Sequence, residues 1–98
     1  MTHSPTLDRF LQAIADPTRR RILRALKENA GPAIGKKAGR CAFEIEQLVK
    51  LAQPTVSHHM RVLVKANLVE AQRDRHWRRY RRNEKLIAEL TKGLKEQL

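Results

Sequence analysis

Apolar side chains recur along this chain at the spacing of an α-helix in five stretches, and between the fourth and fifth the period shortens to that of β-strands. Leu7, Phe10, Leu11 and Ile14 make one stripe, entered through Ser4-Pro5 and predicted to end near Ala15. Asp16-Pro17 then opens a second helix to about Glu28: the carboxylate accepts from free amides, and proline needs no partner at the first helical position. Its buried face is Ile22, Leu23 and Leu26. A third, short helix spans Phe43 to Lys50 with Ile45, Leu48 and Val49 inward. After a turn at Leu51-Ala52-Gln53, Pro54 starts a fourth that runs to about Ala66, with Asn67 as its C-cap. Leu68 to Ala71 and His76 to Arg81 read as the two strands of a hairpin around a turn at Gln72 to Arg75. Leu86, Ile87, Leu90, Leu94 and Leu98 give the last helix one long apolar ridge.

The fourth helix has two unlike sides. Val56, Met60, Leu63 and Val64 fall on one; His58, Arg61 and Lys65 fall on the other, with Thr55 and Val62 at one flank and Ser57 at the opposite one. Two short helices joined by a turn, the second with a polar outer face, form a helix-turn-helix pattern, and the major groove of DNA admits one such helix. The hairpin after it reads QRDRHWRRYRR from Gln72 to Arg82, six arginines against a single Asp74. Arginine offers planar, multidentate contacts to phosphate, as a DNA-gripping wing requires. Trp77 and Tyr80 are expected to anchor that hairpin to the core. The predicted architecture is mainly α with a small β-hairpin, one winged helix-turn-helix domain over residues 1–98. The ridge of the last helix, at Leu86, Ile87, Leu90 and Leu94, is placed to pack against a second subunit.

Composition narrows the partner. Lys and Arg number 21 against 10 Asp and Glu, a formal charge of +11 on 98 residues, which favours a polyanion. Apolar residues make up 41%, enough for a core. No apolar run reaches membrane-spanning length, and the N-terminal residues carry no apolar targeting core, so the expectation is a cytoplasmic protein without membrane contact. Residues 29–40, NAGPAIGKKAGR, hold three glycines and a proline and read as a long basic loop.

Two segments carry a family resemblance. IADPTRRRILRAL at 14–26 and LAQPTVSHHMRVLVKANLV at 51–69 together resemble the ArsR family of bacterial transcriptional regulators. The resemblance implies a homodimeric repressor, its subunits joined through the first and last helices at Leu7, Phe10, Leu11 and Ile14 with Leu86, Ile87, Leu90 and Leu94, that docks two recognition helices in successive major grooves of a near-palindromic operator, often its own promoter or a neighbouring one. It implies that Gln53, Thr55, Ser57 and His58 lie near base edges or adjacent phosphates, and that wing arginines touch the backbone. The expected DNA-binding set is Gln53, Thr55, Ser57, His58, Arg61, Lys65, Arg73, Arg75 and Arg78. His59 turns toward the core. The chain departs from the family where glycine is common, with Lys50 at the helix-helix turn and Arg75 at the wing turn, and where an apolar residue is common, with Arg82 at the wing's end.

No cofactor, metal or small-molecule effector is expected. Metalloid-sensing members carry a Cys-x-Cys pair before the recognition helix; here Cys41 occupies the first position and Phe43 the second, and soft metals require several thiolates. The last helix has no histidine for a zinc site. Cys41, beside Arg40, is open to oxidation or is a small filler at the start of the third helix. An enzyme is not expected: no catalytic triad or phosphate-cradling glycine loop is legible, and helix and hairpin offer no evident pocket. The rival to a sequence-specific regulator is an architectural or protein-binding winged helix.

Overall fold

The computed structural model describes residues 5–27, 39–74 and 77–98. Among these residues five helices and three strands follow in the order α1 (Pro5–Ile14), α2 (Pro17–Lys27), β1 (Arg40–Cys41), α3 (Ala42–Val49), α4 (Gln53–Lys65), β2 (Val69–Asp74), β3 (Trp77–Arg82) and α5 (Glu84–Gln97). The strands form one antiparallel sheet in the order β1-β3-β2. Ser4, most of the glycine-rich segment and Arg75-His76 lie outside the described residues.

The α1–α2 corner is built from polar side chains acting on the backbone. Asp16 Oδ1 accepts from the amides of Thr18 (2.7 Å) and Arg19 (3.1 Å), which satisfies the open N-terminus of α2. A slight desolvation pushes the Asp16 carboxyl up, but those two amides, with the Arg19 charge and, in acid, that of a protonated His59, outweigh it and hold it below its ordinary value. From the first turn of α2 two guanidiniums reach back to the end of α1. Arg19 donates to the carbonyls of Ala13 and Gln12, and Arg20 to that of Ile14 (2.6 Å). The last carbonyls of one helix are thus capped by the first turn of the next.

The core joins α2, α3, α4 and β2 through Ile22, Leu26, Ile45, Val49, Val56, Met60, Leu63, Leu68 and Val69, with α1 and α5 closing one end. Each fully buried aliphatic side chain contributes about 1.5–3 kcal/mol. The expected inward faces hold except at Leu48, which is 44% exposed. It lies on the flank of α3 beside Arg21 and Arg24 of α2, where Arg21 instead donates to the Val49 carbonyl (2.8 Å).

Among the described residues two that are not glycine take left-handed backbone, and both end helices. Lys50, at φ 57° and ψ 47°, closes α3 with its amide on the Glu46 carbonyl (2.8 Å). Asn67, at φ 62°, follows α4, where the Asn67 and Leu68 amides reach the carbonyls of Val64 (2.9 Å) and Leu63 (3.1 Å) in a Schellman closure. Leu68 therefore belongs to this closure and not to the strand. Asn83 locks the far side: its Oδ1 caps α5 through the Leu86 amide (3.2 Å), and its Nδ2 donates to the Asn67 carbonyl (3.0 Å).

The sheet departs from expectation in two ways. The hairpin is longer, because pairing continues through Gln72↔Arg79 and Arg73↔Arg78 to Asp74↔Trp77; the predicted turn at Gln72–Arg75 is mostly strand. A third strand, β1, pairs Arg40, expected in the loop, and Cys41, which follows it, with Tyr80 and Arg79. Gly39 permits this approach: it has φ 102°, and a Cβ there would stand 2.7 Å from the Tyr80 carbonyl oxygen.

Candidate nucleic-acid interface

Side chains alternate across a strand pair, so the register divides the arginines of the hairpin between two faces. Val69, Ala71 and Arg73 of β2 share one face with Arg78, Tyr80 and Arg82 of β3; Glu70 and Gln72 share the other with Arg79 and Arg81. On that second face Arg81 stands 3.9 Å from the Glu70 carboxylate, and Arg79 is half-buried with its charge near Glu44. Arg82 is turned inward, its side chain 13% exposed: Nε and Nη2 meet the Glu84 carboxylate at 3.0 and 3.1 Å, and Nη1 reaches the Leu23 carbonyl. Arg82 therefore fastens the wing's base to α2 and α5, in the place of the apolar side chain that the family resemblance leads one to expect.

Arg73 and Arg78 are left. They are exposed, sit directly opposite each other, and make no side-chain hydrogen bond or ion pair with another described residue. Like charges opposed across a strand pair destabilise it unless an anion comes between them. Arg75 lies outside the described residues.

The recognition helix meets this face. Val56, Met60 and Leu63 are buried, whereas Gln53, Thr55, His58, Arg61 and Lys65 are exposed and Ser57 is half-buried. Gln53 Nε2 donates to Ser57 Oγ at 2.8 Å, one turn along the same flank. Between α4 and the hairpin the structure opens a cleft of ≈ 260 Å³ with Ser57, Arg61 and Arg78 on its walls, where none was expected. Ala71, directly across the strands from Tyr80, lines the cleft with no more than a methyl group. Tyr80 itself is half-buried against the core, as an anchor should be.

His59 turns to the opposite side and is held by the α1–α2 corner, its Nδ1 lying 3.3 Å from Arg19 Nη1. Arginine has no acceptor, so this nitrogen accepts and the imidazole is the neutral Nε2–H form. Burial pushes its pKa below the ordinary value; Asp16 opposes that shift, and Arg19 and His58 add to it. One guanidinium therefore ties the end of α1 to the recognition helix.

The match to known proteins decides the family. Residues 14–72 match the model of a helix-turn-helix domain. An HTH-type transcriptional regulator of Methanocaldococcus jannaschii is 37% identical over 71 residues, 72% of this chain and 71% of its own. The crystal structure of an ArsR family transcriptional regulator superposes with a TM-score of 0.74 at 26% identity, over 99% of this chain and 92% of the other. The chain belongs to the ArsR family of winged helix-turn-helix transcriptional regulators. This ArsR-family regulator is a DNA-binding protein and not an enzyme. It is also 33% identical over 89 residues to a probable mercury resistance operon repressor of Streptomyces lividans, covering 91% of this chain and 64% of that one.

Within the ArsR-family frame, α3 and α4 are the helix-turn-helix and the β2–β3 hairpin is the wing. Sequence reasoning missed β1, the role of Arg19 and the inward turn of Arg82. Gly39 was a signal for the first; nothing local marks the other two. Cys41 lies at the start of α3, as expected, as its N-cap, and also pairs in β1. Its amide donates to Glu44 (3.0 Å), and that bond first, with the charges of Arg40 and Arg79, holds the Glu44 carboxyl below its ordinary value against desolvation. Arg40 is engaged by Glu44 at 3.7 Å and by the Ala25 carbonyl at 3.1 Å, and is not directed to the thiol. Among the described residues no helix is long and apolar enough to cross a membrane.

The residues expected at a subunit interface divide as well. Leu7, Phe10 and Leu90 are buried within the chain, where α1 packs on α5. Leu11 is 36% exposed, and Ile14, Leu86, Ile87 and Leu94 are half-buried at the edge of the core.

Proposed function

We propose that this regulator is a homodimeric, sequence-specific repressor that places α4 in the major groove of each half of a near-palindromic operator, with Arg73, Arg75 and Arg78 of the wing on the flanking backbone. The observation that carries this reading is convergence. The outer face of α4 borders one surface with Arg73 and Arg78 of the hairpin, whose side chains pair with no other described residue, and among the described residues no carboxylate lines the cleft. Gln53, Thr55, Ser57 and His58 are the base-proximal group, and Lys65 follows one flank toward the backbone. The second subunit docks on Leu11, Ile14, Leu86, Ile87 and Leu94, the part of the apolar ridge that the chain's own packing leaves accessible. The operator lies at the regulator's own promoter or a neighbouring one.

The Streptomyces relative is a repressor of mercury resistance by name. We do not extend the metal to this chain, because Cys41 is its one thiol and a soft metal requires two or three. The test is selection from randomised duplex DNA at about 0.15 M salt, a concentration at which non-specific phosphate contacts are already weakened, with sequencing of the bound fraction and mass determination of the complex. An enriched inverted repeat bound by two copies is the expected result. Tight binding with no enriched motif would make the protein architectural, and absence of binding would leave a protein partner as its target.

A further inference from the structure

We infer that the cleft between α4 and the wing is the seat of a single DNA phosphodiester, clamped by Arg61 from the helix and Arg78 from the hairpin, so that Arg61 grips backbone and does not read a base. The inference rests on the reading of this face as the DNA surface and assigns a role within it. Arg61 stands on the outer side of α4, where a base-reading side chain would be expected, yet it lines the cleft together with Arg78 and Ser57. Two guanidiniums and a hydroxyl converging on one space match the oxygens of one phosphate. The cleft's ≈ 260 Å³ is about nine times the share of liquid volume that one water occupies, which leaves room for the phosphate and the ester carbons beside it.

The rest of the lining agrees. Met60, Val64 and Tyr80 give the floor an apolar character suited to the C–H faces of deoxyribose and not to the donor and acceptor edges of bases. Arg73, opposite Arg78, adds positive potential at the rim and receives no compensation from a carboxylate among the described residues. The Gln53–Ser57 hydrogen bond orients the Ser57 hydroxyl oxygen as an acceptor for Gln53, leaving its own proton to donate into the cleft. Base discrimination then falls to Gln53, Thr55 and His58 toward the start of the helix.

The experiment uses the selected operator duplex and a random duplex of equal length, with R61A, R78A, the double variant and R61K. Expected for R61A is a roughly tenfold loss on both duplexes, as for one charged hydrogen bond. The salt slope should fall by about 0.9 per phosphate released, about 1.8 for two subunits, in the double variant, and by less in either single variant, where the remaining arginine still holds the phosphate. Reselection with R61A should return the wild-type motif, and R61K should restore the slope. The double variant should lose less than the product of the single losses, since both arginines hold the same group. A neutral methylphosphonate scanned along the operator should weaken the wild type at one position per half-site and leave the double variant insensitive there. A relaxed preference at one base pair with unchanged binding to the random duplex would overturn the clamp and make Arg61 a base reader. Independent losses for the two arginines would overturn the shared phosphate. A wild type that binds no duplex would overturn the DNA reading itself, an outcome seen before any variant is made.

Discussion

The arginines engaged within the fold, at the α1–α2 corner and at the wing's base, and those left exposed on α4 and the wing are the same residue type in opposite circumstances. Arg19, Arg20 and Arg82 place their donors on carbonyl oxygens of Gln12, Ala13, Ile14 and Leu23 and on the Glu84 carboxylate. Arg61, Arg73 and Arg78 face outward with no such partner among the described residues. The first group holds helices at fixed angles; the second presents charge that no described residue satisfies. A net charge of +11 is therefore a poor measure of the DNA footprint. What counts is how many guanidiniums the fold leaves unengaged.

The comparison is broken most directly at Arg82. Replacing it with alanine removes a two-point contact with Glu84 and a contact to Leu23 at the base of the wing, and leaves a void among α2, β3 and α5. R82A should cost about 2–3 kcal/mol, as for charged hydrogen bonds lost from a largely buried site, and lower Tm by roughly 10–20 °C in a domain of this size. Urea and thermal unfolding measure it. A variant as stable as the wild type would mean that Arg82 is a surface charge like Arg78.

Lys50 lies between the two classes, a cation in the helix-helix turn held in a backbone conformation that favours glycine. Left-handed backbone costs an ordinary residue about 1–2 kcal/mol, part of which glycine returns as unfolded-chain entropy. K50G should therefore stabilise the protein by about 1 kcal/mol. N67G, at a residue that tolerates this region, should change stability by only a few tenths of a kcal/mol. If K50G also weakens DNA binding in proportion to a lost charge, the strained lysine is there for its ammonium. Equal responses at Lys50 and Asn67 would show that backbone strain does not distinguish the two turns.

At Arg73 and Arg78 the expected sign in the free protein is neutral to favourable. Removing one of two opposed like charges relieves repulsion, so R73A and R78A should each fall within about 0.5 kcal/mol of the wild type in unfolding. A destabilisation comparable to that of R82A would place these residues among the structural arginines and remove the contrast.

How much of this was legible along the chain depends on the range of the interaction that decides it. The five helices, and the division of α4 into Val56/Met60/Leu63 against His58/Arg61/Lys65, follow from periodicity within a few residues, and the structure agrees with them. Asp16 as a cap and Asn67 as a helix end are equally local. β1 is two residues long and exists through its partners Arg79 and Tyr80, some forty positions away, so no local period could announce it. The extent of the wing was misjudged for a related reason: without an Asn-Gly or Asp-Gly pair, the polar run from Gln72 to Asp74 resembles a turn until its cross-strand partners are known. The partition of the arginines is the least legible feature. Arg82 and Arg78 are four positions apart on one strand face, and only the fold brings Glu84 and the Leu23 carbonyl to the first and leaves the second facing the cleft.

The finest effect lies at the engaged end of the comparison, in the contact between Arg19 and His59. The imidazole must be neutral to accept from Arg19, and burial, with Arg19 and His58 nearby, keeps its pKa below the usual 6.5 in spite of Asp16. Above that value both folded and unfolded chains carry a neutral ring and the contact contributes in full. As pH falls below it, the unfolded chain takes up a proton that the folded chain resists, so stability declines down to the folded pKa. Asp16 does not intrude, because its carboxyl is depressed below 3.8 and its contribution is lost only in stronger acid. The Tm of the wild type should therefore drop on going from about pH 7.5 to about pH 5.5, the range a histidine spans, and H59Q should flatten that part of the profile. A slope that survives H59Q would assign the titration elsewhere and reduce Arg19 to a cap on α1. A slope that disappears would establish that the recognition helix is fastened to the α1–α2 corner by a hydrogen bond that one proton can break.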